Sequence, residues 1–221
     1  MSEVTVGARP VDRVAGDRVL LAGGALAGPL WVAAALAQGL TRDGFDFRRH
    51  PVSVLSTGDL GWIQISSFVV AGLLCLGAAA ALRRVPHPGL GPRTAPWLVG
   101  QYGLGMVLAG VFVADPLDGF PAGTPAGPGE VSWHGLAHLG AGVLAFTALI
   151  GACLVAGRRF ARRGERGWAA YSVASGGYFA VAWVALMVSA GNPVAMVGFG
   201  VAAVVGWAWL SATLLRALRT A

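Results

Sequence analysis

Apolar residues fall into six long runs, at 19–40, 62–82, 95–113, 133–156, 168–190 and 194–215, and none of the six contains Arg, Lys, Asp or Glu. A helix needs roughly 20 residues to cross about 30 Å of hydrocarbon. A single charge at the centre of such a helix costs about 2.5–3.5 kcal/mol on the insertion scale. The six runs therefore predict six transmembrane helices that insert without help. Barrel strands would instead show alternating segments of about 10 residues. The expected fold is all-α, a six-helix membrane bundle spanning 19–215 between short tails at 1–18 and 216–221, with no second domain.

Composition agrees with that pattern. Hydrophobic residues make up 56% of the chain and charged residues 12%, against roughly 25% charged in a soluble domain. A soluble enzyme and a disordered chain are excluded. The 34 glycines follow no collagen period and suit closely packed membrane helices. All 16 basic residues are arginine, clustered between the apolar runs, so they read as topogenic charge and nucleic acid is not an expected partner. Thirteen lie in the tails and in the second and fourth connections, and three (Arg42, Arg48, Arg49) in the first connection. The positive-inside rule then puts both termini in the cytoplasm and the protein in the inner (plasma) membrane. A competing reading has Ala35-Leu36-Ala37 as a signal-peptidase site, leaving five spans. Pro29 and the length of the run favour retention.

Chemistry-bearing residues gather at the end away from the arginines. The first connection holds three acids, three arginines and His50, a balance that suits a self-paired loop folded over the bundle. Asp115-Pro116 follows just after the third run, and Ser132-Trp133-His134-Gly135-Leu136-Ala137-His138 leads into the fourth, where Ser132 could cap the helix. His134 and His138 are four apart and share a helix face, which continues through Ala141, Ala145, Ala148 and Ala152. Leu136, Leu139, Val143, Phe146, Ile150 and Leu154 lie opposite. Small residues mark helix contact, so both histidines are expected inside the bundle, lining a polar pocket that opens outward. Gln64, Ser67, Ala71, Cys75 and Ala78 form a matching sector on the second helix.

Two histidines at this spacing can bind one zinc, with His50, Asp59 or Asp115 as a third ligand. A zinc-bound water there could hydrolyse a lipid ester or amide, with His134, His138 and Asp115 as catalytic candidates. The competing reading is a hydrogen-bonded pair that fixes helix packing. Cys75 and Cys153 differ in depth by about 10 Å at 1.5 Å per residue, too far for a disulfide, and are expected as packing residues. His87, between prolines, is expected to be an ordinary loop residue. No phosphate-binding loop or nucleophile elbow is present.

Three stretches carry a resemblance: His50-Pro51-Val52-Ser53-Val54-Leu55-Ser56-Thr57-Gly58-Asp59-Leu60-Gly61-Trp62-Ile63-Gln64, then Val111-Phe112-Val113-Ala114-Asp115-Pro116, then Ser132 to His138. The chain resembles, from first span to sixth, the bacterial and archaeal integral membrane family filed as domain of unknown function 998. That resemblance implies six spans and no assigned reaction. A serine-bearing loop before one span and a histidine opening another are more distantly similar to DRAM and FRAG-like membrane proteins, some of which act in lipid remodelling. The leading expectation is a non-catalytic membrane protein that binds lipid or a partner helix, the latter from another membrane protein or a second copy. A metal-assisted lipid hydrolase or transferase is the alternative, and a small-solute transporter the third.

Overall fold

The computed structural model describes residues 11–85, 91, 93–189 and 191–220. Among these it has six α-helices, α1 (Val11–Thr41), α2 (Gly61–Leu82), α3 (Thr94–Val111), α4 (Trp133–Arg162), α5 (Arg166–Val188) and α6 (Pro193–Leu218). A short 3-10 turn, Val52–Ser56, precedes α2. Each helix covers one apolar run, but several continue past it. α1 begins at Val11, and α4 and α6 end at Arg162 and Leu218. Apolarity marks where hydrocarbon would lie, whereas a nucleated helix propagates readily through good formers such as Arg and Ala. The extension of α1 buries Asp17, which Arg84 at the end of α2 reaches at 2.6 Å.

Five of these helices are long and apolar enough to cross a membrane. The sixth, α3, is 18 residues long and dilutes its apolar content with Thr94, Pro96, Gln101 and Tyr102. His87 lies outside the described residues.

Each helix packs on its neighbours in sequence, and α6 returns to α1, so the six close into a ring. Residues without bulk make the contacts. A Cβ on Gly72 of α2 would come within 2.6 Å of the Gly103 carbonyl oxygen of α3, and one on Gly103 within 2.7 Å of that of Gly72. Gly24 lets α1 approach both Ala78 and Leu214, Gly28 seats α1 against Trp207 and Ser211, and Gly176 of α5 sits on Cys153 of α4. Cys75 and Cys153 are free and buried, as expected of packing residues.

The close contacts made by α5 and α6 lie from the middle of the bundle toward the pole with most arginines, whereas Gly105 and Gly110 also hold α3 tightly against α4 and α2 toward the other pole. Toward the opposite pole, where the 42–60 and 112–132 connections lie, several glycines of α4 and α6 face open space. Nothing lies within 4 Å of a Cβ placed on Gly140, Gly198 or Gly200, and one on Gly142 meets only Phe146 of its own helix. The α5–α6 hairpin is thus fastened to the ring in one half and stands off in the other.

The α4 faces follow the expected division in large part. Ala141, Ala145, Ala148 and Ala152 are buried, while Leu136, Leu139, Val143 and Leu154 are exposed. Phe146 and Ile150 depart from it and are half-buried. Phe146 is drawn inward by rings on the hairpin, with centroids 5.2 Å from Phe179, 5.4 Å from Trp183 and 5.4 Å from Phe199. Ala145, 2% exposed against Gly105, and Val143, 49% exposed, give a direct contrast. Ala145→Leu should destabilise the protein by about 1–3 kcal/mol through overpacking, while Val143→Leu should leave the thermal midpoint in the same detergent unchanged.

Candidate functional site

The two connections at the pole opposite the arginines interlock into a cap. Its centre is Asp118, at φ +48°, a left-handed conformation that Asp tolerates better than most residues. Asp118 accepts from Arg49 Nε through Oδ2 at 2.9 Å and from the Gly127 N–H through Oδ1 at 2.9 Å. The Arg49 guanidinium and the Gly127 amide hold its carboxyl at about 2, well below the ordinary range, and Asp118 in turn raises the Arg49 pKa.

His50 is buried beneath this pair. Its Nδ1 accepts the Asp46 N–H at 3.0 Å, so Nε2 carries the proton and donates to the Asp118 carbonyl at 3.1 Å. Arg42 donates to the carbonyls of Leu55 and Thr57 and covers the Phe120 ring at 4.7 Å. Burial lowers its pKa, with Asp59 opposing. Phe45, Phe120, Val54 and Leu55 form a small apolar core within the cap. The first connection pairs with itself through Arg42, Arg48 and Asp46, and in addition pairs across to the second outer connection, because Asp118 offers both a carboxylate and a carbonyl to Arg49 and His50.

The α3–α4 junction uses Asp115 and Ser132. Ser132 caps α4 by accepting from the Gly135 N–H at 3.1 Å, a contact typically worth about 1 kcal/mol. Asp115 accepts from the Ser132 N–H at 2.8 Å and from its hydroxyl. Gly135 is required here, since a Cβ would overlap the Asp115 carboxylate.

The histidine pair divides. His134 is exposed and stacks on Trp133 with ring centroids 3.5 Å apart. The expectation that both point inward fails for His134, because Gly135 takes the inward position of this turn against Asp115 and His134 lies outside it beside Phe112 and Trp133. His138 is buried, and its Nδ1 donates to the carbonyls of Ala109 at 3.0 Å and Phe112 at 2.7 Å. These are carbonyls at the C-terminal end of α3, which lack partners within their own helix. Asp59 is exposed at the cap edge. Among the described residues, no three His, Cys, Asp or Glu side chains gather into a group that could hold a metal ion. The five candidates His50, Asp59, Asp115, His134 and His138 occupy separate settings.

Beneath the cap lies a cavity of about 460 Å³. Trp31 of α1, Phe68 of α2, Tyr102 and Met106 of α3, His138 of α4, Phe179 of α5 and Trp207 of α6 form its walls, and Phe47, His50 and Pro51 of the cap form its roof. Its rim includes the exposed apolar residues Leu36, Leu139, Val143, Met187, Val197 and Val201. The walls are apolar, in contrast to the polar lining expected from the sequence. Polar residues of the second-helix sector are used elsewhere: Gln64 accepts from Gln38 Nε2 at 2.8 Å, tying α1 to α2.

Sequence reasoning missed Asp118, Arg42 and the aromatic walls. A usable signal existed for the last. Trp31 and Trp207 sit near the middle of their apolar runs, whereas membrane tryptophans ordinarily mark the interfaces.

The fold defines a multi-pass helical membrane protein, with an apolar cavity beneath the two outer connections. The model of the family described as "Protein of unknown function (DUF998)" matches residues 25–216, and the chain belongs to that family. No curated protein and no solved structure matches the chain.

Proposed function

We propose that this is a six-span protein of the plasma membrane, with both termini in the cytoplasm, that binds a membrane lipid by taking one hydrocarbon chain into the capped cavity. The observation that carries the reading is the combination of an apolar chamber of about 460 Å³, a roof on the aqueous side and a rim of exposed apolar side chains. That volume falls within the range of about 300–1,000 Å³ for small-molecule sites. Water gains little in such a space, since apolar cavities stay dry. In a bilayer the nearest molecule able to fill it is a lipid chain entering where the α5–α6 hairpin stands off. A partner helix, about 10–12 Å across, needs a groove along its length, and this chamber is confined to one half of the bundle.

Six crossings are supported by the place of α3 in the closed ring. Its 18 residues span about 27 Å at 1.5 Å per residue, and the exposed Trp97 and Trp133 stand at levels suited to the two interfaces. The arginine distribution supports the orientation. Because Cys75 and Cys153 are buried, single introduced cysteines report sidedness. Ala126→Cys should react with an impermeant maleimide in intact cells and Ala161→Cys should not. The reverse result would invert the topology.

Filling the chamber tests the binding reading. Gly142→Leu combined with Gly200→Leu adds bulk where nothing from another element lies nearby and should leave the fold at least as stable, since Gly is the poorer helix former by about 1 kcal/mol. Native mass spectrometry of protein released from nanodiscs should then show loss of a bound lipid that wild type retains. Equal lipid occupancy in the two proteins would refute chain binding in the cavity.

A further inference from the structure

Resting on the lipid reading above, we infer that His138 is the headgroup contact of the cavity and that the ligand is an uncharged long-chain amphiphile whose head is a hydroxyl. His138 is 8% exposed and lines the chamber. Its Nδ1 faces two carbonyl oxygens, so Nδ1 carries the ring proton. Nε2 of the neutral ring is then a lone-pair acceptor, with no hydrogen-bond partner among the described residues. The α3 carbonyls thus fix a tautomer that presents an acceptor, and not a donor, to whatever occupies the chamber.

The surroundings restrict the head further. Phe68 lies against His138 with ring centroids 6.0 Å apart, and Trp31 lies against Phe68 at 6.0 Å. No arginine and no carboxylate lines the chamber. The cap's Arg42 is engaged by the Leu55 and Thr57 carbonyls, and both nitrogens of His50 have partners. A phosphate head would be buried without a counter-charge and so would an ammonium head, each at a large desolvation cost. A hydroxyl satisfies Nε2 by donating its proton and adds no charge. His138 lies in the second turn of α4, at a level suited to a head near the interface. Of the other polar groups in the wall, the Trp31 indole N–H is buried without a hydrogen-bond partner among the described residues, and Tyr102 lies seven residues along α3 from Ala109, about 10 Å deeper, where a head would leave the interface.

A free hydroxyl of this kind occurs on a long-chain alcohol and on a diacylglycerol. The test titrates delipidated protein with hexadecanol, dioleoylglycerol, hexadecyl phosphate and hexadecane, and reads complexes by native mass spectrometry. Hexadecanol should bind about tenfold tighter than hexadecane, the effect of one buried hydrogen bond, and hexadecyl phosphate more weakly than either. Dioleoylglycerol matching hexadecanol would assign the hydroxyl to a glycerolipid, and its exclusion would assign it to a single-chain alcohol. His138→Asn keeps an N–H for the α3 carbonyls but has no Nε2, and should remove the alcohol's tenfold advantage while hexadecane binding stays as in wild type. Alcohol, phosphate and hydrocarbon binding alike to wild type, or unchanged alcohol preference in His138→Asn, would overturn the headgroup assignment alone. Failure of every probe to bind would overturn the lipid reading beneath it. The wild-type series decides the matter even if the variant does not fold.

Discussion

Close approach of helices through residues without bulk is the constraint on which the structure depends. In hydrocarbon, burial of apolar surface supplies no drive for helix association, so contact dispersion and shape fit must hold the bundle. Gly24, Gly28, Gly72, Gly103 and Gly176 bring four of the six neighbouring helix pairs into close contact. Because the close contacts of α5 and α6 lie from the middle of the bundle toward the arginine-bearing pole, this hairpin has freedom to separate from the ring toward the other. Trp31, Phe68, Tyr102 and Trp207 then occupy the widening interior. Their mutual contacts, such as Tyr102 to Trp207 at 5.1 Å, leave a chamber that no side chain fills.

The cap turns that chamber into a site. It covers the widened end with Phe47, His50 and Pro51 and separates the chamber from the aqueous side. Asp118 holds the two connections together through Arg49 and His50, with its carboxylate fixed from its own connection by Gly127. His138 joins fold and site in another way. Its one nitrogen satisfies the end of α3, and this same bond leaves the other nitrogen as an acceptor on the chamber wall. The helix-end requirement and the ligand chemistry are therefore set by one ring.

Much of the fold was legible because span length and exclusion of charge are properties of contiguous sequence. The buried alanine face of α4 and the burial of Gln64 and Cys75 were legible for a related reason, since helical spacing alone places them. The site was less legible because it depends on which helices diverge. Phe146 looks membrane-facing on its own helix, and only the hairpin's Phe179, Trp183 and Phe199 draw it inward. His134 and His138 share a face by spacing, yet Gly135 takes the inward position of the first turn and leaves His134 outside. Asp118 lay in a Gly- and Pro-rich connection, where no periodicity shows which carboxylate will meet Arg49.

The central claim is that a lipid chain enters the bundle through the standing-off α5–α6 hairpin. The most direct measurement is photolabelling in nanodiscs with a diacylglycerol that carries a diazirine partway along one chain, followed by peptide mapping. Adducts on Trp31, Tyr102, Met106 and Met196, which line the chamber and are buried, are the expected result. Adducts confined to outward residues such as Val70, Leu73 and Val181 would contradict it, since the chamber would then stand closed to the bilayer.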